Sequence, residues 1–381
     1  MPQHSLPAHD EFSAVFEAPV DQIPDADELV RATMAWHFSP ATGTPYWLSR
    51  LAELPFDPIA DVRGVDDLAL FDAIPVDWSV IPATGLIPRG SPAGLRFNVL
   101  ESGGTTGAPK RIVDATSRRR NVAWQSIQLD QEGFPRDGGG WLHVGPTGPH
   151  IMAKNIGNLA ELRGMLCYFV DLDPRWAKRC RAEGRPQDFD RYVDHILDQV
   201  RDVLASQDIR AISSTPPILE RMAARPDVYA RLRDKVRGII WGGTSTSPET
   251  LRLLEDEVFP DALVRGAYGN TMMGVAPQRP RRDGDPVSCI FRPFYPYSLV
   301  ELVDPADPAG LADPGDPAKP VAEGVEGRVR VATLTRDLFL PPTLERDLAT
   351  RRTPPGQPTG IELSGVRPAK NTGQPIVEGV Y

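Results

Sequence analysis

Residues 101–110 read ESGGTTGAPK, the densest run of glycine and threonine in the chain. A strand-like run, GLRFNVL at 94–100, leads into it, and a lysine closes it. Gly103, Gly104 and Gly107 let backbone N–H groups turn toward an anion with no Cβ in the way. Ser102, Thr105 and Thr106 add hydroxyl donors, and Lys110 adds a cation. The stretch reads as a loop that holds phosphate; the competing reading is a plain turn ahead of a helix. It is not the Walker loop, because Ala108 and Pro109 separate Gly107 from Lys110. Nor does its glycine spacing fit the dinucleotide-binding fingerprint.

Outward from the loop, residues 116–132 carry a helical pattern, as do 25–36, 43–53 and the short VDDLALFDAIP at 65–75. The clearest helix is DFDRYVDHILDQVRDVLA at 188–205. There Phe189, Val193, Ile196, Leu197, Val200, Val203 and Leu204 share one face, and His195 lies off it. An alternation then begins. IRAISS (209–214) reads as a buried strand and TPPILERMAA (215–224) as a helix opened by a threonine cap and proline. VRGIIWGG (236–243) repeats the strand. TSPETLRLLEDEVF (246–259) repeats the helix, with Thr246 and Glu249 spaced for a capping box. ALVRGAYG (262–269) is the third strand. That order predicts a parallel sheet with ligands at the carboxyl ends of its strands. Beyond residue 285, YSLVELV (297–303) and GRVRVATLT (327–335) predict a hairpin around the Asp-Pro-rich stretch 303–324, whose prolines block helix and ladder alike.

The 381 residues, 41% apolar and 24% charged, suit an ordinary globular chain too long for one minimal domain. A net charge of −9 argues against a general nucleic-acid binder. The one basic cluster, Arg118-Arg119-Arg120, reads as a solvated helix start. Cys167, Cys180 and Cys289 lack paired spacing and fit reduced thiols. No apolar run approaches the ~20 residues a bilayer requires, and MPQHSLPAHDEF at the start lacks the apolar centre of a secretory signal. The expectation is a soluble, cytoplasmic protein without a membrane partner.

SGGTTGAPK resembles the signature loop of the adenylate-forming superfamily, which includes acyl-CoA synthetases, peptide-synthetase adenylation domains and luciferases. The resemblance runs in order along the chain. ISSTPPIL (212–219) is similar to the family's substrate-pocket segment, WGGTSTSPETL (241–251) to its adenine-side glycine motif, and AYGNTMMG (267–274) to its tyrosine-glycine motif. GVEGRVRVATLTRDLFLPPTLERDLATR (324–351) resembles the late region that supplies a ribose-binding aspartate. Within the superfamily the chain looks most like phenylacetate-type aryl-CoA ligases and standalone adenylation proteins of phenazine pathways. The implied fold is α/β, the large N-terminal domain of the superfamily: two α/β subdomains with similar sheets, spanning 1–285 as the AMP-binding core, and a small β subdomain over 286–381.

The resemblance also implies chemistry: ATP with Mg2+ activates an aromatic carboxylic acid to an acyl adenylate, which passes to a reductase or another acyl acceptor. Ser102, Gly103, Gly104, Thr105, Thr106, Gly107 and Lys110 would hold the β- and γ-phosphates. Gly242, Gly243 and Thr244 would line the adenine; Tyr268, followed by Gly269 and Asn270, would stack on it. Thr271 would reach the α-phosphate, Lys110 and Thr271 being the catalytic pair, and Asp347 would accept bonds from the ribose hydroxyls. His143, His150, Asn155 and Thr215 are the acid-binding candidates. For Tyr268 and Trp241 the alternative is core packing, for Thr271 a turn hydroxyl, for Asp347 a surface charge, and for either histidine a satisfied structural role.

Two departures stand out. The family's Mg2+-binding glutamate after the threonine is here Met272, a poor ligand for a hard cation, so phosphate and water alone hold the metal, another acid substitutes, or adenylation is weak. The sequence given ends at Tyr381, before the family's C-terminal lid, so no lid domain is expected, and Lys110, Lys154 or Lys370 would have to replace its lysine. Three activities therefore stay open: an adenylating enzyme, a binding protein for nucleotide or aryl acid that has lost catalysis, and a ligase that passes the acyl group to an amine or coenzyme A. A homodimer is among the assemblies the sequence allows.

Overall fold

A computed structural model describes residues 13–102, 109–285, 289–304, 320–354 and 360–369. Its centre is a six-stranded sheet in the order β4-β3-β5-β6-β7-β8. The strands are β3 (Gly140–Gly145), β4 (Leu166–Asp171), β5 (Ile209–Ser214), β6 (Gly238–Gly242), β7 (Leu263–Asn270) and β8 (Gly274–Pro277). The first five run parallel, and β8 turns back antiparallel onto β7. Side chains alternate across such a sheet, so each face has its own core. Trp141, Ala211, Ile240 and Ala267 pack under Val122, Leu129, Ile156 and Leu159 from the helices Ser117–Gln131 and Ile151–Leu162. Leu142, Ile212, Ile239 and Val264 share a cluster with Val193, Ile196, Leu197 and Val200 of the helix Pro186–Ser206. His195 faces outward, as expected.

Prolines at the first helical turn fix where the following helices begin, at Pro186, Pro216, Pro226 and Pro248. That rule corrects the capping box. With Pro248 first in the helix, Ser247 rather than Thr246 is the cap, and its Oγ accepts from Thr250 N at 3.1 Å.

The second sheet differs from the first. Its five strands are all antiparallel in the order β10-β11-β12-β13-β9. They are β9 (Ile290–Phe291), β10 (Ser298–Val303), β11 (Glu326–Leu334), β12 (Phe339–Arg352) and β13 (Glu362–Pro368). β10 and β11 form the expected hairpin pair. A third, two-stranded ribbon pairs β1 (Asn98–Glu101) with β2 (Arg111–Asp114). Two similar α/β sheets are therefore not what the described residues form: one sheet is mostly parallel and the other wholly antiparallel. The reason lies in the connections, since helices link the parallel strands whereas short turns link β11 to β12. The N-terminal helix Ala26–Phe38 docks on this second sheet. Trp36 and His37 bond the carbonyls of Arg336 and Thr335, and Phe38, Trp47, Phe71 and Phe339 form one aromatic cluster.

The basic cluster is not a solvated helix start. Arg118 is only 6% exposed, buried beneath β7 and β8, whereas Arg119 lies out in solvent and pairs with Glu161.

Candidate active site

Gly103, Gly104, Thr105, Thr106 and Gly107 lie outside the described residues, as does Lys370. The two ends of their loop are well defined. It joins two strands of a ribbon, β1 and β2, rather than a strand and a helix. Ser102 N donates to Lys110 O at 3.0 Å, and Ser102 Oγ accepts from Lys110 N at 2.9 Å. This clasp closes the loop's base and leaves the Lys110 ammonium at its rim. There Nζ lies 3.7 Å from Oε1 of Glu345, within ion-pair reach but too long for a hydrogen bond. Glu345 is 14% exposed, its Oε1 has no hydrogen-bond partner, and burial raises its pKa, with Lys110 opposing.

Two residues along β12, Asp347 Oδ2 accepts from the Tyr268 hydroxyl at 3.0 Å. Burial, with Asp347 adding to it, raises the phenol well above its ordinary range. Burial also raises Asp347, opposed by the bond from Tyr268. Asp347 is thus tied to the tyrosine and is not a plain surface charge. The Tyr268 ring lies against Phe291, centroids 5.9 Å apart.

The turn that follows β7 is tightly specified. Asn270 Oδ1 accepts from the N–H groups of Met272 and Met273 at 2.9 and 2.8 Å. Thr271 Oγ1 donates to the Glu101 carbonyl at 3.1 Å, at the foot of the phosphate loop. Gly269 is required because a Cβ there would strike the Gly274 carbonyl. At the end of β6, a Cβ on Gly242 would sit 2.6 Å from the Ala267 carbonyl and 3.0 Å from Met152 Cε, while Gly243 takes φ +83°. The carboxyl ends of β5, β6 and β7 are then lined by buried polar atoms with no partner: Thr215 Oγ1, Thr244 Oγ1 and Asn270 Nδ2. Asn155 Oδ1 and His150 Nε2, on the helix Ile151–Leu162 and at its cap, are in the same condition. Unpaired buried groups are costly, so their clustering fits a place for a polar ligand or ordered water.

The structure thus draws Ser102, Lys110, Tyr268, Thr271 and Asp347 toward one region from segments far apart in sequence. His143 is placed differently. It is 1% exposed, Nδ1 meets Ser213 Oγ at 2.9 Å, and burial lowers its pKa to about 4. Lys154 faces outward. Met272 is 2% exposed within the apolar core. Among the described residues no group of three His, Cys, Asp or Glu is placed to hold a metal ion. No helix among them is long and apolar enough to cross a membrane.

Three residues escaped the sequence reading: Arg118, Glu345 and Asp337. The Asp337 carboxylate accepts from the N–H groups of Thr116 and Ser117 at 2.6 and 2.8 Å, capping the helix Ser117–Gln131 from the far side of the fold. One signal was present, because Arg-Asp-Leu occurs twice, at 336–338 and 346–348.

No protein-family model and no curated protein sequence matches the chain. Among solved structures, an open conformation of 2-hydroxyisobutyryl-CoA ligase in complex with 2-HIB-AMP and CoA is similar with TM-score 0.56 and 15% identity, over 97% of this chain and 79% of that one. The chain has the fold of the adenylate-forming ligases. The same ligase in its thioesterification state gives TM-score 0.56 at 13% identity, over 97% and 73% of the two chains. An ATP-bound MatB from Rhodopseudomonas palustris gives 0.44 at 18% identity, over 71% of this chain and 47% of that one. The chain spans about half the length of MatB and of the RpMatB-BxBclM chimera.

Proposed function

We propose that this chain binds ATP and activates an aromatic carboxylic acid as its acyl adenylate. The observation that carries this reading is the meeting of Tyr268 with Asp347 beside the Lys110–Glu345 pair, at the strand ends of a ligase fold. A carboxylate oxygen of the acid attacks the α-phosphorus of ATP, the bond to the bridging oxygen of the β-phosphate breaks, and pyrophosphate leaves. Catalysis of this kind rests on positioning and on neutralising charge. Lys110 and the loop from Ser102 take the terminal phosphates, Thr271 the α-phosphate once its hydroxyl turns from the Glu101 carbonyl, Tyr268 the adenine face, and Asp347 the ribose hydroxyls. Mg2+, if bound with the nucleotide, would supply further charge neutralisation; such an ion takes only one or two carboxylates, and Glu345, beside Lys110, would be the one to hold it.

Met152 Cε packs against the bare Gly242, so the wall we assign to a flat aromatic ring is apolar there. Asn155, His150 and Thr215 offer it unpaired polar atoms. The acyl adenylate then passes to an acceptor such as a reductase, an amine or a thiol. Met272, buried where the family has an acid, favours a second reading in which the chain binds nucleotide and acid without turnover.

Acid-dependent exchange of labelled pyrophosphate into ATP, across a panel of aryl and phenazine carboxylates, tests the proposal. Exchange with one acid, reduced at least a hundredfold in Lys110→Ala and Asp347→Ala, is the expected result. Silence with every acid, while calorimetry still registers ATP, would leave the binding protein standing.

A further inference from the structure

Arg118 is a buried cation that the proposed chemistry does not use, and its surroundings assign it a task. It is the second residue of the helix Ser117–Gln131, whose backbone follows the phosphate-loop ribbon by only two residues. Its Nη2 donates to the carbonyls of both Thr271 and Met272, each at 2.8 Å. Asp114 and Asp337 are the nearest acids. Asp114 accepts from the backbone N–H of Arg118, not from the guanidinium, while Asp337 takes the N–H groups at the helix start. Burying a guanidinium is expensive, and here it is spent on two peptide carbonyls of a turn.

The turn is shaped to receive it. Gly274 adopts φ +92°, and a Cβ there would collide with Arg118 Nη1. One helical turn on, Asn121 bonds both backbone groups of Val275, donating at 2.9 Å and accepting at 2.8 Å. From the other side Thr333 Oγ1 donates to the Met272 carbonyl at 2.8 Å and Ser298 Oγ to that of Met273 at 2.7 Å. The Thr271 hydroxyl meanwhile reaches β1. One nitrogen, Nη2, shared between two successive carbonyls holds the Thr271–Met272 peptide in place, and so the direction in which the Thr271 Cβ leaves the chain. A lysine ammonium, one atom shorter in reach and without the planar group packed against Gly274, does not hold its nitrogen at that point.

We infer that Arg118 is the positioning residue for Thr271, locking the turn after β7 to the helix that leaves the phosphate loop. This rests on the ATP-binding reading above. The test is a double-mutant cycle of Arg118→Lys and Thr271→Val, reading kcat and KM for ATP in pyrophosphate exchange. Arg118→Lys is expected to lower kcat about tenfold, with KM changed less than threefold and the thermal transition still cooperative. Added to Thr271→Val it should lower kcat no further, because the hydroxyl it aims is gone. A purely structural arginine predicts that the two losses multiply, and that outcome, or an Arg118→Lys enzyme as fast as wild type, overturns the inference. If Arg118→Lys does not fold, Arg118→Gln, which keeps a donor on a shorter uncharged side chain, enters the same cycle with the same criterion. A wild type silent in exchange would defeat the adenylation reading alone; ATP affinity by calorimetry then replaces kcat in the cycle. Absence of ATP binding overturns both.

Discussion

Tyr268 and Asp347 form the bond on which most of the proposed site turns, and its removal has a two-part consequence. Tyr268→Phe keeps the ring against Phe291 but takes away the donor that favours the Asp347 anion. A hydrogen bond to a charged group contributes roughly 1.5–3 kcal/mol, so ATP binding should weaken about tenfold or somewhat more. Asp347, already raised by burial, should rise further, so the variant should lose ATP at a higher pH than wild type does. Calorimetric titration at pH 6 and pH 8 reads both effects; equal affinity at both pH values would separate Asp347 from the nucleotide. Residues of this kind were legible in the sequence because their motif fixes identity and order together. Arg118 was not, because its neighbours Arg119 and Arg120 carry the same charge and only the turn at 271–273, about 150 positions away, distinguishes the three. Glu345 was hidden likewise, since nothing in the sequence signals the approach of Lys110.

At the start of the helix Ser117–Gln131, Thr116 occupies the cap position without bonding the first turn, and Asp114 takes only the N–H of Arg118. Asp337 does the capping from the turn between β11 and β12, collecting the N–H of Ala115 at 3.2 Å as well as those of Thr116 and Ser117. A carboxylate is favoured there by both the unsatisfied N–H groups and the positive end of the helix. Asp337→Asn keeps an acceptor and loses the charge, which should cost about 1–2 kcal/mol, and Asp337→Ala should cost more. Urea unfolding curves measure both, and equal midpoints for wild type and Asp337→Ala would show that the helix start is fixed by something else. Elements of this length were readable where their period was long. The helix Pro186–Ser206 and the β5, β6 and β7 strands emerge from apolar spacing alone. The four-residue strands β2 and β8 did not, because RIVD and GVAP are too short to display a period and are strands only by virtue of the partner each turn returns them to.

At the scale of the whole molecule, the two sheets hold buried titratable groups that tie stability to pH. His37, between Thr44 and the Thr335 carbonyl, and His143, on Ser213, are both lowered by burial from 6.5 to about 4. A histidine with its folded-state pKa below its unfolded one binds a proton more readily when unfolded, so each loses stability as pH falls from about 6.5 toward 4. Asp114 acts in the opposite sense. Burial raises it from 3.8 to about 6, so the folded state takes up its proton first and gains stability over the same interval. Glu345 and Asp347, also raised, add to that opposing side. The net slope therefore mixes several groups, but the contribution of one histidine is isolated by difference. Between pH 4.5 and 6, His143→Gln should lack one proton of uptake on unfolding, so its stability should fall less steeply than that of wild type by about 1.4 kcal/mol per pH unit. Urea midpoints across that interval measure the difference. Parallel curves would mean that His143 is charged inside the sheet, in conflict with its bond to Ser213 and its closed surroundings, and would reopen it as a group that faces the acid.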